Sequence, residues 1–207
     1  CGYENSGSSA SPVWSVKSSW NTPNVGYRSR PATGDLDNDG DLDLIIGVQN
    51  GIGYGYENTG SKASPAWAAK SGWDGPDVGD YATPTLVDLD VDGDLDLIVG
   101  NTGGVKAYKN TGSAAAPVWA EYSGWNIPSF YVGKYSFADL DQDGDPDFLA
   151  GSDGVTYACE NTGSIGAPAW KYRFGWNISG VRGWNHPAIA DMDNDGNLDL
   201  MLGGYTQ

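Results

Sequence analysis

Carboxylates recur at alternate positions in four short stretches of the chain, beginning at Asp35, Asp88, Asp139 and Asp191. The first reads Asp35-Leu36-Asp37-Asn38-Asp39-Gly40-Asp41-Leu42-Asp43, and the others occupy 88–96, 139–147 and 191–199. Positions one, three and five are Asp35, Asp37 and Asp39; Asp88, Asp90 and Asp92; Asp139, Asp141 and Asp143; Asp191, Asp193 and Asp195. Position six is always glycine (Gly40, Gly93, Gly144, Gly196), and position nine is Asp43, Asp96, Asp147 or Asp199. Like charges this dense repel one another unless a cation sits among them. Glycine permits a tight turn that brings alternate side chains round one point. Four carboxylates and the main-chain carbonyl of position seven (Asp41, Asp94, Asp145 or Asn197) would form an all-oxygen cage. Hard oxygen donors with many protein carboxylates suit calcium better than magnesium, which keeps more of its waters. The expectation is about four Ca2+ ions, one per stretch.

The first half of each stretch matches the calcium loop of an EF-hand, but the second half does not. Position twelve, a bidentate Glu in that loop, is here Ile46, Val99, Ala150 or Leu202. A short apolar run ending in Gly follows instead, as in Leu44-Ile45-Ile46-Gly47. Such a run predicts a buried strand rather than an exit helix.

Charge and composition narrow the function further. The formal charge is −16, and four calcium ions would halve it. The acidity therefore belongs mostly to the loops, and no basic stripe is present to meet nucleic-acid phosphates. No apolar run reaches the ~18 residues that a membrane span needs. Low-affinity calcium modules work at millimolar calcium, which points to an extracellular or cell-surface setting. The chain begins at Cys1 with no Met, which reads as a processed or trimmed product. Asn177-Ile178-Ser179 is a glycosylation sequon if the source is eukaryotic. Cys1 and Cys159 allow one disulfide or two free thiols.

The elements that must position the loops repeat with them, at a period of roughly 52 residues. Each loop is preceded by a strand and followed by the apolar strand. A third strand then enters an Asn/Gly turn, as at Tyr56-Glu57-Asn58-Thr59-Gly60. A Pro-x-Trp follows (Trp14, Trp67, Trp119, Trp170), and six residues later a second Trp (Trp20, Trp73, Trp125, Trp176). The first Trp of each pair reads as packing between sheets, while the second is open to packing or to stacking on sugar rings. Trp184 falls outside the pattern and is the candidate for a ligand contact. Four short strands per repeat and no convincing helix predict an all-β fold, a four-repeat β-propeller. The predicted division is a half-blade at 1–26, blades at 27–78, 79–131 and 132–182, and a half-blade at 183–207. The N-terminal half-blade is expected to complete the C-terminal one, closing the ring within one molecule. The same pairing between molecules would run head-to-tail into a fibre.

These residues resemble the FG-GAP and VCBS repeats of integrin-alpha-like β-propellers, best at Asp88 to Gly100 and at Phe137-Ala138-Asp139. The resemblance implies a calcium loop between the first two strands of each blade. It also implies an extracellular module for adhesion or for recognition of a glycan or protein ligand. Two departures are the repeat number, since that family usually has seven blades, and Pro146 where other loops have Leu42, Leu95 and Leu198. The alternative function is a structural subunit of an extracellular filament or surface assembly. An enzyme is not expected: the one histidine, His186, has no readable nucleophile or base partner.

Overall fold

The computed structural model describes residues 2–8, 11–130, 133–164 and 166–204. Sixteen strands appear: β1 Tyr3–Asn5, β2 Trp14–Val16, β3 Arg30–Gly34, β4 Asp43–Gly47, β5 Gly53–Asn58, β6 Trp67–Ala69, β7 Thr83–Val87, β8 Asp96–Asn101, β9 Gly104–Asn110, β10 Trp119–Glu121, β11 Tyr135–Ala138, β12 Asp147–Gly151, β13 Asp153–Asn161, β14 Trp170–Tyr172, β15 Ile178–Ala190 and β16 Asp199–Gly204. The only helical elements among the described residues are single 3-10 turns such as Ser71–Trp73 and Ser123–Trp125. All pairing between named strands is antiparallel. Two sheets are four-stranded meanders, β3-β4-β5-β6 and β7-β8-β9-β10. A third, β11-β12-β13 with β14, is extended by the β15–β16 hairpin, and β1–β2 form a separate two-stranded sheet.

The apolar strands after the first three loops lie inside their sheets, while β16, after the fourth, is at an edge. Every residue of β4, β8 and β12 is buried. Ile45, Leu97, Ile98 and Phe148 are wholly inaccessible, and each such side chain contributes about 1.5–3 kcal/mol on burial. The hairpin between strands three and four is sealed by one asparagine per unit. The Oδ1 of Asn58 accepts the N–H groups of Gly60 and Ala66, and Asn110 and Asn161 do the same in their units.

Neighbouring sheets meet edge to face through a glycine at the end of the second strand. A Cβ on Gly47 would lie 2.4 Å from the Ala82 carbonyl oxygen. On Gly100 it would lie 2.1 Å from that of Gly133, and on Gly151 2.0 Å from that of Asn185. Only glycine lets the next unit's main chain come so close. Tryptophan indoles fasten the same joints. Trp119 Nε1 donates to the Trp73 carbonyl at 3.1 Å, and Trp170 Nε1 donates to that of Trp125 at 2.7 Å. Of the second Trp residues, Trp20 and Trp176 are half-buried, whereas Trp73 and Trp125 are each 1 % exposed. The 3-10 turn tucks them under the neighbouring sheet, where Trp73 Nε1 reaches the Ala115 carbonyl. They are packing residues, and not sugar platforms.

The pairing expected to close the ring is not formed among the described residues. β1 and β2 pair only with each other, and Trp20 Nε1 ties that sheet to the Ala63 carbonyl of the next unit. β15 instead bends at Gly180 and Gly183, both with positive φ, and pairs with the start of β13. The C-terminal hairpin thereby joins the third sheet and leaves the far side of β16 without a strand partner among the described residues.

Candidate metal centres

Each acidic stretch is the turn of an antiparallel strand pair, β3–β4, β7–β8, β11–β12 or β15–β16, and its own carboxylates hold its shape. The carboxylate at position one accepts the glycine N–H at position six: Gly40 to Asp35 and Gly93 to Asp88 at 2.9 Å, Gly144 to Asp139 and Gly196 to Asp191 at 3.0 Å. Position five accepts from position seven, as from Asp41 to Asp39 at 2.8 Å and from Asn197 to Asp195 at 2.8 Å. The turn needs positive φ at two places. One is the glycine, and the other is position four: Asn38, Val91, Gln142 and Asn194, at 54° to 63°. Asn tolerates this left-handed region, whereas β-branched Val91 is strained there.

Position nine has a second task. Asp43 Oδ2 accepts the N–H of Leu36 within the loop, and its Oδ1 accepts the N–H of Asn58 on the third strand. Asp96 binds Leu89 and Asn110 in the same way, and Asp147 binds Leu140 and Asn161. These three carboxyls are 0–1 % exposed. Burial pushes them up, Asp43 and Asp147 to about 6 and Asp96 to about 7, despite the amide donors that favour the charged form.

Carboxylate oxygens converge to within 4.8 Å in every loop: Asp35, Asp37 and Asp39; Asp88, Asp90 and Asp96; Asp139, Asp141 and Asp147; Asp191, Asp193 and Asp199. These clusters could each bind a metal ion. The fit to a hard cation rests on two buried carboxylate oxygens without a hydrogen-bond partner among the described residues, Asp35 Oδ1 and Asp90 Oδ1. A buried, unpaired carboxylate oxygen is costly, and a cation is the partner that removes the cost. Asp92, Asp143 and Asp195 at position five are exposed, while the position-seven residues Asp94 and Asp145 are half-buried.

The other candidate residues do not gather at these centres. Trp184 and His186 lie on β15, with Trp184 opposite Asp153 in register. Burial, then the charges of Arg30 and Lys134, hold the His186 imidazole below its ordinary range. Asn177 closes a 3-10 turn. Its Oδ1 accepts the Ala158 N–H at 3.0 Å and its Nδ2 donates to the Tyr172 hydroxyl. Asn21 and Asp74 accept the corresponding N–H groups of Gly2 and Gly55, so this clamp accounts for the residue type at that position. Cys159 is buried against Tyr135 and Phe148, and burial pushes its thiol up to about 11; Cys1 lies outside the described residues.

Sequence reasoning missed Lys109, which pairs with Asp90 and lies 3.6 Å from Asp92. The visible signal was a lysine aligned with Glu4, Glu57 and Glu160 of the other repeats.

No curated protein matches the chain significantly. The FG-GAP-like repeat profile matches three overlapping pairs of loops, at residues 35–99, 88–150 and 139–202. On that match, which runs from the first acidic loop to the last, the chain belongs to the FG-GAP-like repeat family.

Proposed function

We propose that the chain is an extracellular calcium-binding β-propeller module that recognises a glycan or protein ligand, with calcium in a structural role. The observation that carries the calcium reading is the convergence of three carboxylates in every loop, two of them with a buried oxygen left unsatisfied. The ligands would be Asp35, Asp37, Asp39 and their counterparts, with position nine reaching the ion from the buried side. Calcium would supply the positive charge that these carboxylates lack. The edge-to-face joints between successive sheets support blades arranged about an axis. A binding module is favoured over an enzyme because the clustered Asp side chains are committed to the loops and to the cation. Equilibrium dialysis against labelled calcium tests the reading. Saturable uptake of several ions per chain is expected, and no uptake at millimolar calcium would end it. A glycan array with and without Trp184→Ala then tests recognition.

A second reading, a head-to-tail assembly, is favoured by one feature. Gly203 is the counterpart of Gly47, Gly100 and Gly151, yet a Cβ there would meet only its own neighbour His186, at 3.8 Å. Ser29 and Pro31, the counterparts of Ala82 and Pro84, are exposed while Ala82 and Pro84 are buried. Among the described residues both halves of one more joint are therefore open, and a head-to-tail contact with a second copy would fill them without closing. Sedimentation velocity across concentration tests this. Growth that Gly203→Val abolishes is expected, and a monomer at all concentrations contradicts it.

A further inference from the structure

Three hairpins carry the same ion pair, which lies beside the metal loop in the units of Glu57 and Glu160. Glu4 pairs with Lys17 at 2.7 Å, Glu57 with Lys70 at 2.6 Å, and Glu160 with Arg173. In each, the basic residue also lies over the second Trp, at 5.6 Å for Trp20, 4.8 Å for Trp73 and 5.5 Å for Trp176. The unit of the second loop breaks this arrangement at both positions. Tyr122 replaces the basic residue and packs edge-on against Trp125 at 5.0 Å, so the ring contact is kept and the charge is lost. Lys109 replaces the glutamate. With Tyr122 uncharged where the other hairpins supply the ion-pair partner, it turns into the acidic loop, against Asp90 and near Asp92.

We propose that Lys109 is a built-in cation of the second loop, so that this loop is ordered without calcium and binds calcium more weakly than the loops at 35–43 and 139–147. This rests on the calcium reading above. The ammonium meets positions three and five, the two carboxylates that a metal ion would use in the outer half of the cage. Asp90 is 10 % exposed, with one oxygen on Lys109 and the other buried without a partner. The turn of the following unit lies over it, with a Cβ on Gly166 falling 3.4 Å from the Asp90 Cβ. The carboxylate end of the pair is thus shielded while the Lys109 side chain is 32 % exposed, so charge effects there are screened less than at a fully open surface. The contrast with the other loops is one net charge: Lys109 with neutral Tyr122 adds a positive one, while Glu57 and Glu160, close to Asp37 and Asp141, are balanced by Lys70 and Arg173.

Hydrogen exchange read by mass spectrometry on the whole chain tests this, because it reports each loop separately. In chelator, peptides across 88–96 should be better protected than those across 35–43 and 139–147. On calcium titration the second loop should respond last, at a concentration about tenfold higher. Lys109→Met should remove its protection in chelator and bring its calcium midpoint down to that of the other loops. Lys109→Arg, which keeps the charge, should behave as the parent chain. Should Lys109→Met not fold, the order of protection in the parent chain decides alone. Equal protection in chelator, or simultaneous response of the three loops, would overturn the proposal. A chain in which no loop responds to calcium would remove the calcium reading, and the weaker-site claim with it.

Discussion

The loops at 35–43 and 191–199 share a motif and differ in what surrounds them. Both use the position-one carboxylate to hold the glycine N–H, and both use position nine to hold the N–H of position two. Asp43 additionally binds the N–H of Asn58 on a third strand and is 1 % exposed. Asp199 is half-buried, and among the described residues no third strand supplies it with a donor. Every residue from Asp191 to Leu198 is exposed. Met192 and Met201 are 38 % and 51 % exposed, where Leu36 and Ile45 at the same positions are 2 % and 0 %. The acidic motif therefore shapes a turn by itself. The dry, rigid wall of the candidate metal centre comes from the third strand and from the neighbouring sheet.

That comparison is broken most severely by cutting the clamp. Asp96→Ala leaves the N–H groups of Leu89 and Asn110 buried without acceptors. It should destabilise the chain by about 3 kcal/mol or more. Asp199→Ala, at the exposed loop, should cost less than about 1 kcal/mol, and urea denaturation of both variants measures the difference. Equal losses would mean that the third strand contributes nothing to the centre.

The joint glycines give a smaller contrast. Gly151→Ala would drive a Cβ to 2.0 Å from the Asn185 carbonyl oxygen, whereas Gly203→Ala makes only an ordinary contact with His186 at 3.8 Å. The first should cost about 2 kcal/mol, and the second should be near neutral by the same denaturation assay.

A pH series separates the buried carboxyls from the exposed ones. Asp43, Asp96 and Asp147 sit at about 6 to 7 when folded and near 3.9 when unfolded. Between those values the folded, calcium-free chain holds protons that the unfolded chain has released. Their contribution to stability is full below about pH 4 and is lost as pH rises through 6 to 7. In chelator, the melting temperature should therefore fall between pH 5 and pH 8. Millimolar calcium, by keeping these groups ionised, should flatten or reverse that fall.

The smallest expected effect sharpens the comparison between loops of equal burial. Val91 sits at φ 54° where the first loop has Asn38. Val91→Asn should relieve about 1 kcal/mol of strain and raise the melting temperature by about 2–4 °C.

The loops, their flanking strands and the four-strand rhythm of the units were legible because period and residue type act locally. The apolar runs from Leu44 and Leu97 could be buried only as strands followed by a close-packed glycine. Properties that depend on neighbouring units were not legible. Trp73 and Trp125 read as ambiguous because their burial comes from the adjacent sheet. The clamp by Asp43 joins residues on two strands, and the loop motif does not reveal it. Position four of each loop carries no glycine to announce its left-handed backbone. The expected ring closure turned on the angle between units, which no local pattern encodes, and on whether β15 pairs with β13 first.

The central claim, that calcium is part of the fold, is tested most directly by thermal melts of one preparation in chelator and in millimolar calcium at pH 7.5. Several sites filled only in the folded state, each worth about 2.7 kcal/mol at a hundredfold excess over Kd, should raise the melting temperature by on the order of 10 °C or more. Superimposable melts in the two buffers would contradict the account.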